Sequence, residues 1–194
     1  MNKKPKPHLE AAHEAWRQLV KPGDTVIDAT CGNGHDTLLL AQLALTPDSG
    51  QVIAMDIQPQ AIANTQARLQ AHLTPDLFAR IRFIQGSHAQ FPADIAPGSV
   101  KLIVYNLGYL PGGDKSITTQ AETTLESLSE AVRRSCNGGC ISLNCYPGHA
   151  DGAHEERLLL IRWREAQFPD WRFSYQRWRN CDRAPSLLLF FKLT

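Results

Sequence analysis

Two glycines and two carboxylates stand close together in Asp28-Ala-Thr-Cys31-Gly32-Asn33-Gly34-His35-Asp36-Thr37. Glycines at such spacing let a backbone turn sharply and let a small molecule approach the main chain. A third carboxylate opens Asp56-Ile57-Gln58, and a carboxylate at the end of a second strand can accept both hydroxyls of a ribose. Gly86-Ser87-His88 supplies short polar groups for an adenine edge, although a histidine is as often a core or surface residue. Asn106-Leu107-Gly-Tyr109-Leu-Pro-Gly-Gly-Asp114-Lys115 then sets an amide and an aromatic ring in a Gly/Pro-rich loop.

The glycine pattern separates two nucleotide chemistries. A dinucleotide loop uses G-x-G-x-x-G to receive a pyrophosphate. Here Thr37 stands at the third glycine's place, and Asp28 and Asp36 would repel phosphate charge. S-adenosylmethionine has no phosphate and carries a sulfonium and an ammonium, which tolerate nearby carboxylates. The pattern therefore points to that cofactor, with Asp28, Cys31, Gly32, Asn33, Gly34, His35, Asp36, Asp56, Ile57, Gln58, Ser87, His88 and Asn106 as its candidate contacts. Methyl transfer from it needs an acceptor lone pair aimed along the methyl–sulfur axis, which a positioning amide such as Asn106 suits.

These groups need strands ending beside one another. Thr25 to Thr30, Gln51 to Ile57, Ile81 to Gln85, Val100 to Leu107 and Cys140 to Tyr146 are β-branched or apolar runs that read as buried strands. Leu9, Ala12, Trp16, Leu19 and Val20 share a helical face, giving a helix over 8–20. Further helices are expected over 36–44, 59–73 and 153–167, and from Ile117 along a stripe closed by Gly138-Gly139. Runs 171–179 and 186–193 have only a polar connection between them, so they predict an antiparallel terminal hairpin over 171–194. Alternating strands and helices followed by a hairpin predict an α/β Rossmann-like fold: a seven-stranded, mostly parallel sheet with helices on both faces. The whole chain, 1–194, reads as one methyltransferase domain.

Composition excludes several classes. Hydrophobic residues at 43% and charged ones at 20% exclude a disordered or fibrous chain. The longest apolar runs, such as Leu187 to Phe191, are too short to span a membrane, and no apolar stretch follows the first lysines. Five cysteines, an odd number, favour reduced thiols and a cytoplasmic location. Cys136, Cys140 and Cys145 invite a zinc reading, but two of them sit in an expected buried strand, so no metal is assigned. The first 21 residues carry five basic and two acidic side chains, and residues 151–194 carry eight and six, so both ends are basic. Arg172, Arg177, Arg179 and Arg183 interleave with Trp171, Tyr175 and Trp178, a spacing that fits either an RNA loop or a solvated sheet face.

Asn106-Leu-Gly-Tyr109 resembles the Asn-Pro-Pro-Tyr signature of amino-methylating enzymes. With Asp28 to Thr37, Asp56-Ile-Gln58, Tyr105 to Lys115 and Tyr146-Pro-Gly-His149, it resembles a bacterial family labelled rRNA methylases. Members have been assigned as tRNA wobble-uridine methyltransferases that convert 5-aminomethyl-2-thiouridine to its methylaminomethyl form. The resemblance runs from about residue 8 to the end, and departs at Ala150-Asp151-Gly152, where the family tends to a glycine pair. It implies a tRNA anticodon loop as partner. By that likeness the Asn106 oxygen and the Leu107 carbonyl hold the target nitrogen, and Tyr109 stacks on the base. Asp114 and His149 are then candidate proton acceptors, with structural roles open for both, and Lys115 either meets a phosphate or pairs with a carboxylate. A small-amine methyltransferase and a non-catalytic cofactor-binding protein stay as alternatives, and so does a homodimer.

Overall fold

The computed structural model describes residues 7–113, 118–166, 168–178, 181 and 183–194. Its elements run α1 (Pro7–Leu19), β1 (Thr25–Asp28), α2 (His35–Ala44), β2 (Gln51–Asp56), α3 (Pro59–His72), α4 (Pro75–Phe78), β3 (Ile81–Gln85), β4 (Val100–Asn106), α5 (Ala121–Arg134), β5 (Ser135–Cys145), α6 (Ala150–Ala166), β6 (Trp171–Arg177) and β7 (Ser186–Lys192). The apolar runs become one seven-stranded sheet in the order β3-β2-β1-β4-β5-β7-β6. Strands β1 to β5 are parallel, whereas β7 pairs antiparallel with both β5 and β6. The Rossmann-like architecture read from the sequence is the one observed.

Both faces of the sheet are covered. One face buries Trp16 of α1, Leu40 of α2 and Leu69 of α3 against Val26, Val104 and Leu187. The other buries Leu128 of α5 and Leu159 and Trp163 of α6 against Ile103, Ile141 and Phe190. Alternation along β7 explains its place: Leu187 and Leu189 face the first layer, Leu188 and Phe190 the second.

Between β3 and β4 no helix intervenes, and Phe91 and Ile95 from the connecting segment fill that part of the second layer. The structure departs from the expected elements at the next connection. Strand β5 begins at Ser135, directly after α5, so Gly138-Gly139 does not close the helix but lies inside the strand. There the register shifts between Val100 and Leu102, and Gly138 has φ 67°. A Cβ on Gly139 would lie 2.8 Å from the Cys136 carbonyl oxygen, so the pair makes a bulge only glycine can fill. No helix among the described residues is long and apolar enough to cross a membrane.

Candidate active site

Strand order brings the singled-out residues to one edge. β1 lies between β2 and β4, so the ends at Asp28, Asp56 and Asn106 are neighbours, and the chain's path reverses direction between β1 and β4. Ligands of open parallel sheets bind at such a crevice.

Asp56 is half-buried and organises the turn. Its two oxygens accept the Gly32 and Gln58 N–H groups at 3.0 Å each, tying the glycine loop to the end of β2. Burial raises its carboxyl above the usual range, and these backbone donors act against that rise. Next to it Ile57 is 60% exposed, an apolar surface at the mouth of the crevice. Gly32 and Gly34 take φ 52° and 74°, and Gly34 begins α2 from the left-handed region. Thr65 of α3 donates to the Gly32 carbonyl at 3.0 Å, and Arg68 to the Asn33 carbonyl at 2.6 Å. Asn33 spends its side chain on structure: Nδ2 donates to the Pro111 carbonyl, joining the glycine loop to the loop after β4, while Oδ1 accepts from Asn64. Cys31 is buried and its thiol is held protonated by desolvation. His35 is exposed at the start of α2.

Three carboxylates share this edge. Asp28 is fully buried, accepting the Thr37 hydroxyl at 2.6 Å and the Thr30 N–H at 3.3 Å. Burial first, and then the charge of Asp36, push its carboxyl up to about 7. Asp36 meets His13 of α1 at 2.7 Å and the Asn106 amide nitrogen at 2.8 Å. Asn106 in turn accepts from Asn144 at 3.1 Å, its cross-strand partner in the β4–β5 register.

The loop after β4 is anchored from α6. Thr119 donates to Glu155, and its hydroxyl accepts the Gly108 N–H at 2.8 Å. Burial raises the Glu155 carboxyl, and the Thr124 and Thr119 hydroxyls offset part of that. Tyr109 is 41% exposed, 6.4 Å ring to ring from His149. The Gly152 N–H donates to His149 Nδ1, so that nitrogen carries no proton. Ser87 is exposed after β3, but His88 turns into the core, edge-on to Tyr105, where burial lowers it to about 4. Asp114 and Lys115 lie outside the described residues. Among described residues no cluster suited to a metal ion occurs.

Sequence reading missed His13, Asn144, Thr119 and Glu155. Asn144 had a signal, being a polar residue inside the apolar run Ile141 to Cys145. The other three carry none, because the pairs that give them their roles, His13 with Asp36 and Thr119 with Glu155, are 23 and 36 positions apart.

The family model described as "Putative rRNA methylase" matches residues 52–192. A "tRNA (mnm(5)s(2)U34)-methyltransferase, chloroplastic" of Arabidopsis thaliana is 38% identical over 188 residues, which cover 94% of this chain and 68% of that protein. A crystal structure of a "putative rRNA-methylase" from Clostridium thermocellum superposes with a TM-score of 0.88 at 35% identity, covering 100% of both chains. SMU.1697c, a "putative methyltransferase" of Streptococcus mutans solved in complex with SAH, gives a TM-score of 0.79 at 27% identity, again over 100% of both. Fold and site together define a Rossmann-like methyltransferase dependent on S-adenosylmethionine. Within that class, the chain belongs to the rRNA methylase family.

The acid-rich edge fits this cofactor, because a bound cation favours ionised Asp28. Asp28 sits above its ordinary value of 3.8, so its contribution to the stability of the ligand-free fold is lost as pH rises through about 7. Cofactor affinity should run the other way, strengthening about tenfold between pH 6 and pH 8 as a cation meets the ionised carboxylate. Calorimetric titration across that range reads it, and Asp28→Asn should flatten the profile. A wild-type affinity independent of pH would show that Asp28 does not sense the ligand.

Proposed function

We propose that this protein methylates an amino nitrogen on RNA, specifically the aminomethyl group of 5-aminomethyl-2-thiouridine at the tRNA wobble position. The observation that carries the reading is Asn106, an amide at the tip of β4 held by Asp36 and Asn144 beside the glycine loop. The name and 38% identity of the Arabidopsis thaliana relative support the substrate.

The cofactor supplies an electrophilic methyl group on a sulfonium. On this reading Asp56 holds the ribose, Ile57 and Ser87 border the adenine, and the turn at Gly32 receives the methionyl end. Asn106 Oδ1 and the Leu107 carbonyl accept hydrogens from the target amine, which aims its lone pair at the methyl, and Tyr109 stacks on the base. A primary alkylamine has a pKa near ~10 and must arrive or become neutral. Asp114 and His149 stand as proposed proton acceptors, and His149 can take a proton only when its Nδ1 gives up the Gly152 N–H. We treat the whole chain as one methyltransferase domain and infer a cytoplasmic setting, which its five unpaired cysteines suit.

The anticodon loop is proposed to lie where α1 meets the terminal hairpin. α1 packs against β7, and a groove of about 310 Å³ between α1 and the hairpin is lined by His8, Ala11, Gln176, Arg177 and Trp178 among others. Trp178 is 57% exposed there and Tyr175 40% exposed on the hairpin. Exposed aromatics in a groove that Arg177 also lines suit stacked bases and phosphates.

Labelled S-adenosylmethionine with tRNA from a strain lacking this gene should yield one added methyl on aminomethyl-thiouridine by nucleoside mass spectrometry. Trp178→Ala should raise the KM for tRNA about tenfold, the worth of one stacked base, and leave cofactor affinity unchanged. Turnover of small amines without RNA would sink the RNA reading, and cofactor uptake without any turnover would sink catalysis.

A further inference from the structure

The two ends of an asparagine side chain have almost the same shape, yet only one of them can accept a hydrogen bond from an amine. Asn106 is useful only with its oxygen turned toward the substrate, so something must decide which end points where. The backbone is no help: Asn106 N–H is already committed to the Thr30 hydroxyl at 2.7 Å, which fixes the main chain but not the amide rotation.

The deciding neighbour is an anion. A carboxylate only accepts hydrogen bonds, so the amide nitrogen must face it. Asp36 Oδ2 takes the Asn106 Nδ2 at 2.8 Å, and its other oxygen takes His13 Nε2 at 2.7 Å. Asn144 completes the row by donating to Asn106 Oδ1 at 3.1 Å. Donors thus converge on Asp36 from both sides. Asn144 follows the same direction at the cost of its own Oδ1, which is buried without a hydrogen-bond partner among the described residues. His13 belongs to α1, 23 positions before Asp36, and its side chain is 25% exposed while that of Asp36 is 11% exposed.

We propose that Asp36, braced by His13, is a positioning residue that sets the polarity of the Asn106 amide and so turns its oxygen toward the acceptor amine. The proposal rests on the reading of Asn106 as the amine-holding group. It moves Asp36 from the cofactor contacts to the substrate side of the site, and it makes the N-terminal helix part of the catalytic apparatus.

Three substitutions and one spectrum test it. Asp36→Asn should lower kcat on tRNA about 100-fold, with cofactor affinity and tRNA KM within threefold of wild type, because an amide neighbour no longer distinguishes the two ends of Asn106. His13→Ala should lower kcat about tenfold, and His13→Gln should recover most of that loss by restoring an N–H donor to Asp36. In nitrogen-edited NMR of the wild type, the two Asn106 Nδ2 protons should be widely separated, one of them bonded to the carboxylate, and in Asp36→Asn the separation should collapse. A kcat within twofold of wild type in Asp36→Asn would overturn the proposal. So would an equal loss of cofactor affinity, which would make Asp36 a cofactor ligand, or an unchanged pair of Asn106 signals. Wild type that transfers no methyl to tRNA would instead defeat the substrate reading, and the NMR comparison would still decide what Asp36 does.

Discussion

Asn106→Ala should lower kcat for methyl transfer to RNA by about 10²–10³-fold while S-adenosylmethionine still binds. The size follows from what the side chain does on the proposed reading. An amine free to rotate presents its lone pair in many directions, and only one lies on the line of attack. Losing a positioned hydrogen-bond partner in a closed site costs rates of that order. The substitution also removes a donor to Asp36 and an acceptor from Asn144, so a stability loss of about 1–3 kcal/mol is expected alongside. Thermal melting and calorimetric titration of the cofactor separate the two effects. A stable, cofactor-binding mutant that retains full turnover would remove Asn106 from the chemistry. Asn106 is the last residue of β4, placed by the sheet itself, which is why a single truncation should act so sharply.

Gly34→Ala should destabilise the fold by about 3 kcal/mol and weaken cofactor binding at least tenfold. Two separate costs add. The residue holds φ 74°, where an L side chain costs about 1–2 kcal/mol. The added Cβ would also lie 2.8 Å from Thr65 Cα, a backbone atom of α3 that cannot step aside alone. Separating α2 from α3 would loosen the Thr65 hydroxyl from the Gly32 carbonyl, so the turn proposed to receive the cofactor would shift with the fold. For a chain of this size the melting temperature should fall by roughly 6–12 °C. Gly32→Ala is the informative control. Its φ is 52°, but a Cβ there meets Leu110 Cδ1 at 3.5 Å and the Thr30 carbonyl oxygen at 3.8 Å, both ordinary contacts, so it carries the backbone cost without the clash. Equal losses of stability from both substitutions would show that the contact with α3 is not what matters.

What the sequence disclosed follows from the range of the interactions involved. β1, β2 and β4 were legible because a strand buried on both faces must be apolar throughout. The glycine turn was legible because positive φ restricts the residue type. The start of β5 was not, because two adjacent glycines serve as well for a bulge as for a helix end, and only pairing with Val100 and Leu102 tells them apart. The four-residue α4 is too short to show a period. Within the candidate site, Asp28, Asp56 and Asn106 stood out by type and spacing. Their partners did not: the use of Asp36 depends on His13 and Asn106, and the hold on the Gly108 backbone depends on Glu155 of α6. His88 misled for the opposite reason, since local spacing set it beside Ser87 while packing drew its ring against Tyr105.

The position of β7 between β5 and β6 has a consequence for biosynthesis. During translation β5 and β6 emerge before the strand that joins them, so neither can take its final partner until residues 186–192 have left the ribosome. Until then the long edge of β5 stays unpaired and Trp163 of α6 lacks its contact with Phe190, an invitation to chaperones or to aggregation. A nascent chain stopped short of residue 186 would therefore possess every proposed cofactor contact and still lack a closed sheet. Such fragments should be cleared by proteases and not persist as partial enzymes.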